Sequence, residues 1–181
     1  MKIVSVNVGT AEPVIGASRP MISGINKQPV AEAMVGALGL VDDAIVDTEH
    51  HGGINAAVYL YSMEDYDFWT NELGGRTLVP GQFGENLTVD SFGPEPLRAG
   101  DRFTIGEVEL ELTSPRIPCN TFSGHMGVDK WIQRFRDARR PGPYAKVISE
   151  GVVAPGMEMR RTLAPDTHPT ILDLQDEYYG A

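Results

Sequence analysis

The chain has a single cysteine, Cys119, so it can form no internal disulfide framework, and covalent cross-links have no part in holding this fold. It also lacks any apolar run near the ~20 residues that a membrane-spanning helix requires. The start, Met1-Lys2-Ile3-Val4-Ser5-Val6-Asn7-Val8, alternates like a strand and does not carry the pattern of a signal peptide. The expectation is a cytoplasmic protein with no membrane association. Basic residues are in deficit, with 15 Lys and Arg against 25 Asp and Glu, a net charge of −10. Binding to nucleic acid requires Lys and Arg to neutralise phosphates, so no nucleic-acid partner is expected. Repeats and low-complexity segments are absent too.

What remains is the composition of one ordinary globular domain: 181 residues, 41% hydrophobic and 22% charged. Lys2 to Val8 reads as a half-buried strand ended by Gly9. Met21 to Val30, broken by Gly24 and Pro29, suggests edge-strand or hairpin material. Ala56 to Tyr61 is a continuous apolar strand. Ser62 caps a helix running to about Leu73, with Tyr66, Trp69 and Leu73 on one face and Gly74-Gly75 as the stop. Asn86 to Val89 alternates again. Arg102 to Ile105 and Val108 to Thr113 form a β-hairpin around Gly106-Glu107. Gly127 to Ala138 carries Val128, Trp131, Ile132 and Phe135 at helical spacing, and strands follow at Tyr144 to Ser149 and Met157 to Leu163. Residues 165–181, with Pro165, Pro169 and many acids, read as a C-terminal tail that Ile171, Leu172 and Leu174 could dock. Seven or more short strands against two helices predict a mainly β, α+β domain over residues 1–164: a β-barrel with peripheral helices.

Cys119 lies in Pro115-Arg116-Ile117-Pro118-Cys119-Asn120, directly after the best strand. The prolines fix φ and remove donors, so the segment is a stiff loop at a strand end, where rigid scaffolds display reactive groups. A free thiol is most often a small buried hydrophobe. Here Arg116 could favour the thiolate, the form that attacks electrophiles and binds soft metals, or it could form a surface ion pair. A second polar loop, Thr48-Glu49-His50-His51-Gly52-Gly53, offers glycines that let backbone N–H groups approach an anion. Adjacent histidines on extended backbone point opposite ways, so one metal would not take both.

Five motifs in order, Gly24 to Val30, His50-His51-Gly52-Gly53, Phe83 to Thr88, Gly100 to Phe103 and Pro115 to Cys119, resemble the MOSC domain, named for the C-terminal part of molybdenum cofactor sulfurases. The resemblance spans about residues 1 to 163. It is nearest the stand-alone bacterial branch associated with resistance to N-hydroxylated purines. It implies a MOSC-like β-barrel and a molybdenum cofactor, molybdopterin, with a cysteine that ligates the metal or carries sulfur. The family also has an association with pyridoxal phosphate binding. On this resemblance Cys119 is the metal ligand and catalytic residue. Arg116, His51, Gly52, Gly53, Asn86 and Lys27 are cofactor-binding candidates, with Lys27 offering a charge for the phosphate and Asn86 a pterin edge. Their alternatives stay open: a backbone-capping His51, an Asn86 that braces a turn, a solvated Lys27.

The chain departs from the pattern where relatives carry Asp-Lys, having Asn55-Ala56. Asp42-Asp43 stands at a turn often made by glycine, and Asn120-Thr121-Phe122 follows the thiol. The chain ends at Ala181 without a ferredoxin-like domain, so electrons are expected from an external electron-transfer protein. The expected activity is reduction of a small-molecule N-hydroxylated substrate. The alternative is a sulfur or cofactor carrier acting through Cys119 without turnover. Hydrolysis by Cys119 with a histidine base ranks below both, since nothing in the linear order places His50, His51 or His125 beside the thiol.

Overall fold

A computed structural model describes residues 1–16, 20–46 and 52–180. The first half contains β1 (Ile3–Gly9), β2 (Glu12–Pro13), β3 (Ile22–Ser23), β4 (Lys27–Val30), β5 (Ala33–Gly36), β6 (Gly39–Leu40), β7 (Val58–Ser62), α1 (Met63–Glu72) and β8 (Leu87–Val89). The second half contains β9 (Arg102–Ile105), β10 (Val108–Pro115), α2 (Asn120–Met126), α3 (Trp131–Asp137), β11 (Pro143–Ser149), β12 (Gly151–Val153), β13 (Arg160–Thr162) and α4 (Ile171–Tyr179). The architecture is mixed α+β, mostly sheet.

The main sheet has the order β13-β9-β10-β11-β7-β8-β1-β4, with β5, β6 and β12 in a second, three-stranded sheet. Among the described residues its end strands β13 and β4 show no pairing, so the ladders do not display the closed barrel that the strand count predicts. Near the other end of the sheet, Lys2 bridges Glu158 and Ile3 N–H donates to the Met157 carbonyl at 3.0 Å. Gly156 N–H donates to the Ile3 carbonyl at 2.7 Å and Met159 N–H to the Met1 carbonyl at 2.9 Å, so the segment Gly156 to Met159 runs beside the start of β1.

Strand β7 explains the unbroken apolar run in its sequence. Val58 and Leu60 point into an aliphatic core with Ile3, Val6, Leu87, Phe103 and Leu110. Tyr59 and Tyr61, on the opposite face, enter an aromatic core with Trp69, Phe83, Phe122, Trp131 and Phe135. A strand buried on both faces has no polar alternation to show.

The helix after Ser62 forms as its cap predicts, with the Ser62 hydroxyl accepting from Asp65 N–H at 3.2 Å. Two helices depart from expectation. The segment after Cys119 is the short helix α2, closed by Gly127 at φ 60°. The segment read as a tail contains α4, opened by a reciprocal capping box between Thr170 and Asp173. Its buried positions are Ile171 and Gln175, one of them polar, which is why hydrophobic periodicity does not reveal it. Among the described residues no helix is long and apolar enough to cross a membrane.

Candidate functional site

Strand β10 delivers the cysteine loop. Its last residue, Pro115, is in register with Pro143, and Arg116 N–H donates to the Gly142 carbonyl at 3.1 Å. The chain then turns through Ile117-Pro118, and Cys119 occupies the N-cap of α2, half-buried. The loop is thus anchored at both ends, by a sheet and by a helix start.

Arg116 is buried, with its guanidinium 4.1 Å from the Phe122 ring centroid and 4.9 Å from that of Tyr59. Its Nη1 donates to the Phe83 carbonyl at 3.0 Å, while Nε has no hydrogen-bond partner. A side chain at Gly84 would press on this arrangement: Gly84 has φ +75°, and a Cβ there would stand 3.0 Å from Ile25 and 3.4 Å from Arg116 Nη1. The backbone must pass that close. Arg116 makes no ion pair among the described residues, although a desolvated cation usually demands one. The nearby carboxylate, Glu85, is fully buried and already accepts from Tyr66 Oη, Thr88 Oγ1 and the Gly81 and Phe83 N–H groups. Burial holds its carboxyl above the usual range, against those donors.

Arg116 and Cys119 line a cavity of about 150 Å³. Lys27, Asn86 and Gly52 line the same cavity, so five of the seven expected site residues converge there. Gly53 does not line it; at φ +78° it opens the turn at Ile54–Ala56 and is exposed. His51 lies outside the described residues. His125 is turned away, its Nε2 3.0 Å from the Gln82 carbonyl, in a groove beside Glu12.

Asp43 is the residue that sequence reasoning missed as part of the site. Standing in the loop after β6, it forms an ion pair with Lys27 and accepts from Asn86 Nδ2 at 2.8 Å and from Gly9 N–H at 2.8 Å. Asn86 is itself held from the other side, its Oδ1 accepting from Tyr59 N–H at 3.1 Å. Lys27 and Asn86 therefore have protein partners. Lys27 forms an ion pair with Asp43, whereas Arg116 forms none among the described residues. The two cations on this wall are in different electrostatic states. The signal for Asp43 was present as the doubled acid at Asp42-Asp43, where Asp42 adopts φ 70° and directs the chain so that Asp43 turns inward.

The remaining wall is apolar and aromatic, including Ile22, Ile25, Ile45, Tyr59 and Tyr144. Burial raises both phenols above their usual range, so they stay protonated at neutral pH. Among the described residues no group of three or more His, Cys, Asp or Glu could hold a bare metal ion.

A profile of the MOSC domain matches residues 47–160. The chain belongs to the MOSC family. It is 32% identical over 158 residues to the uncharacterized protein YflK of Bacillus subtilis (strain 168), covering 87% of this chain and 71% of YflK. Against YiiM of Escherichia coli (strain K12) it is 30% identical over 125 residues, 68% of this chain and 56% of YiiM. The crystal structure of YiiM from Geobacillus stearothermophilus superposes with a TM-score of 0.77 at 27% identity, covering 98% of this chain and 83% of that one. The MOSC fold seen here is thus YiiM-like. The MOSC family is associated with molybdenum cofactor binding.

The residues present fit such a group. The cavity of this MOSC chain offers one soft thiol, not a full ligand set, as suits a metal that brings its sulfur ligands with it. It also offers Arg116, a buried guanidinium with no ion pair and an orphaned Nε. A planar fork of this kind binds phosphate.

Proposed function

We propose that this MOSC protein binds a molybdenum cofactor in the Cys119 cavity and reduces small N-hydroxylated compounds with electrons from a separate donor protein. The observation that carries the reading is the convergence of a half-buried thiol and an unpaired buried guanidinium on one cavity.

Cys119 would hold the metal through its sulfur, on a loop stiffened by Pro118 and fixed at the start of α2. Arg116 takes the anionic end of the cofactor, its plane held between Phe122 and Tyr59 so that little conformational freedom is lost on binding. Asn86 braces the Asp43 loop and does not present a free amide. When bound, the cofactor would supply two-electron redox chemistry. Tyr59, Tyr144 and Ile25 offer an aromatic and apolar wall against which a flat apolar body can lie. The overall change is R–NHOH plus two electrons and two protons to R–NH₂ and water. The electrons come from a reduced flavin or iron–sulfur carrier protein.

The test is turnover. Protein loaded with molybdenum and pterin, given such a reduced carrier and hydroxylaminopurine, should form the amine and one water per two electrons. Loaded protein that leaves the substrate unchanged would refute the reductase reading. Metal-free protein releasing one sulfur per chain on cyanide treatment, lost in Cys119→Ser, would favour the sulfur-carrier alternative.

A further inference from the structure

Reductive N–O cleavage consumes two protons, and the groups already assigned do not supply them. Arg116 does not release a proton in proteins. The Tyr59 hydroxyl is tied to the Pro141 carbonyl at 2.7 Å, and burial makes both cavity phenols weaker acids. Lys27 differs from all of these. Its ammonium is buried on the cavity wall, and it carries three N–H donors. The two Asp43 oxygens take two of them. No described residue accepts the third.

From this geometry we infer that Lys27 is the general acid of the reaction, donating its third proton to the departing oxygen, with Asp43 as the residue that positions it. This rests on the reductase reading above. The step balances as follows. As the N–O bond breaks, two electrons pass to the substrate nitrogen. The Lys27 proton goes to the oxygen, which leaves as water. A solvent proton completes the N–H bond, and a second solvent proton restores the ammonium.

The surroundings of Lys27 suit the role. Burial lowers its pKa below the usual lysine value, Arg116 pushes the same way, and Asp43 and Glu85 oppose both. A lysine brought down toward neutral pH is a better proton donor than one on the surface. Asp43 cannot wander, since Asn86 Nδ2 and Gly9 N–H each hold one of its oxygens. Lys27 is therefore held by Asp43 at the cavity wall, with one N–H that no described residue accepts. The division of labour follows from the charges: the unmatched cation, Arg116, suits an anionic cofactor, and the matched one, Lys27, is left for proton transfer.

Two measurements together test this. In cofactor-free protein carrying lysine labelled at ¹³Cε, the Lys27 resonance should titrate below the ordinary lysine value. Asp43→Asn should move it lower still, because the opposing charge is gone. With loaded protein, Lys27→Arg keeps the charge and the pair but has no proton to give. It should retain molybdenum and pterin at wild-type stoichiometry while kcat falls roughly 100-fold. The wild-type rate should decline as pH rises through the Lys27 titration, and Asp43→Asn should bring that decline to lower pH. Lys27→Met combined with Asp43→Leu removes both charges, guards against a folding defect and should show the same loss of kcat. Wild-type kcat in loaded Lys27→Arg would overturn the assignment while leaving the reductase reading intact. Loss of molybdenum from Lys27→Arg would also overturn it, making Lys27 a cofactor ligand. A loaded wild type without turnover would bring down both readings.

Discussion

Replacing Asp43 by alanine should be among the most damaging single changes to this fold, and its cost can be worked from the contacts. Asp43 and Lys27 have side chains 5% and 8% exposed. Removing the carboxylate strands a buried ammonium, which costs about 3–5 kcal/mol. It also leaves the Gly9 N–H without its acceptor, worth about 1–3 kcal/mol when buried. These terms overlap, because water entering the cavity can solvate both groups, so the expected loss is about 4–6 kcal/mol. That is a large share of the roughly 5–15 kcal/mol by which domains are stable. The loss should depend on pH. Lys27 has its folded pKa lowered, chiefly by burial. Between that lowered value and about 10.5 the unfolded chain binds more protons, so stability from this group rises with pH. With Asp43 gone the buried ammonium is still less favourable, so the alanine variant should recover part of its deficit at alkaline pH. Urea denaturation at pH 7 and pH 9.5 measures both effects. A loss below about 1 kcal/mol at pH 7, or a deficit that grows with pH, would refute the buried-pair argument.

Gly24→Ala should fail to pack, because the added Cβ would sit 2.0 Å from the Ala44 carbonyl oxygen, on the chain that carries Asp43. Backbone and not a flexible side chain must move, so a loss of about 3 kcal/mol or more is expected by urea denaturation. His125 has its pKa lowered below 6.5, first by burial, despite its bond to the Gln82 carbonyl. Its stability contribution is present above 6.5 and is lost as pH falls through the folded value. The difference in unfolding free energy between wild type and His125→Gln should therefore shift against the wild type on going from pH 7 to pH 5. An unchanged difference across that range would show that the ring is not buried neutral.

The strands that carry the site were legible because their burial is one-sided. Val108 to Leu112 alternates with Glu109 and Glu111, which face Arg102 and Lys146 on the wet side, and the hairpin with Arg102 to Ile105 follows from that pattern. The cysteine loop was legible from its two prolines. Helix α2 was not, because seven residues containing Gly124 offer too little periodicity, and its N-cap is Cys119, a residue with no capping preference. Whether the sheet closes is not legible in a sequence, since it depends on how far the segment Gly156 to Met159 tracks β1, a matter of backbone register. The hardest feature was the different fate of two cations. Lys27 and Arg116 are 89 positions apart, and only folding shows that a carboxylate from a third loop matches one and leaves the other.

The central claim is that Cys119 and Arg116 share a cavity built for a sulfur-rich metal with an anionic tail. Its most direct test is elemental and pterin analysis of protein isolated from cells that make the cofactor. The account predicts close to one molybdenum and one pterin per chain in the wild type. It predicts loss of molybdenum in Cys119→Ser, and loss of pterin as well in Arg116→Leu. Undiminished molybdenum in Cys119→Ser, or wild-type protein free of both metal and pterin, would contradict it.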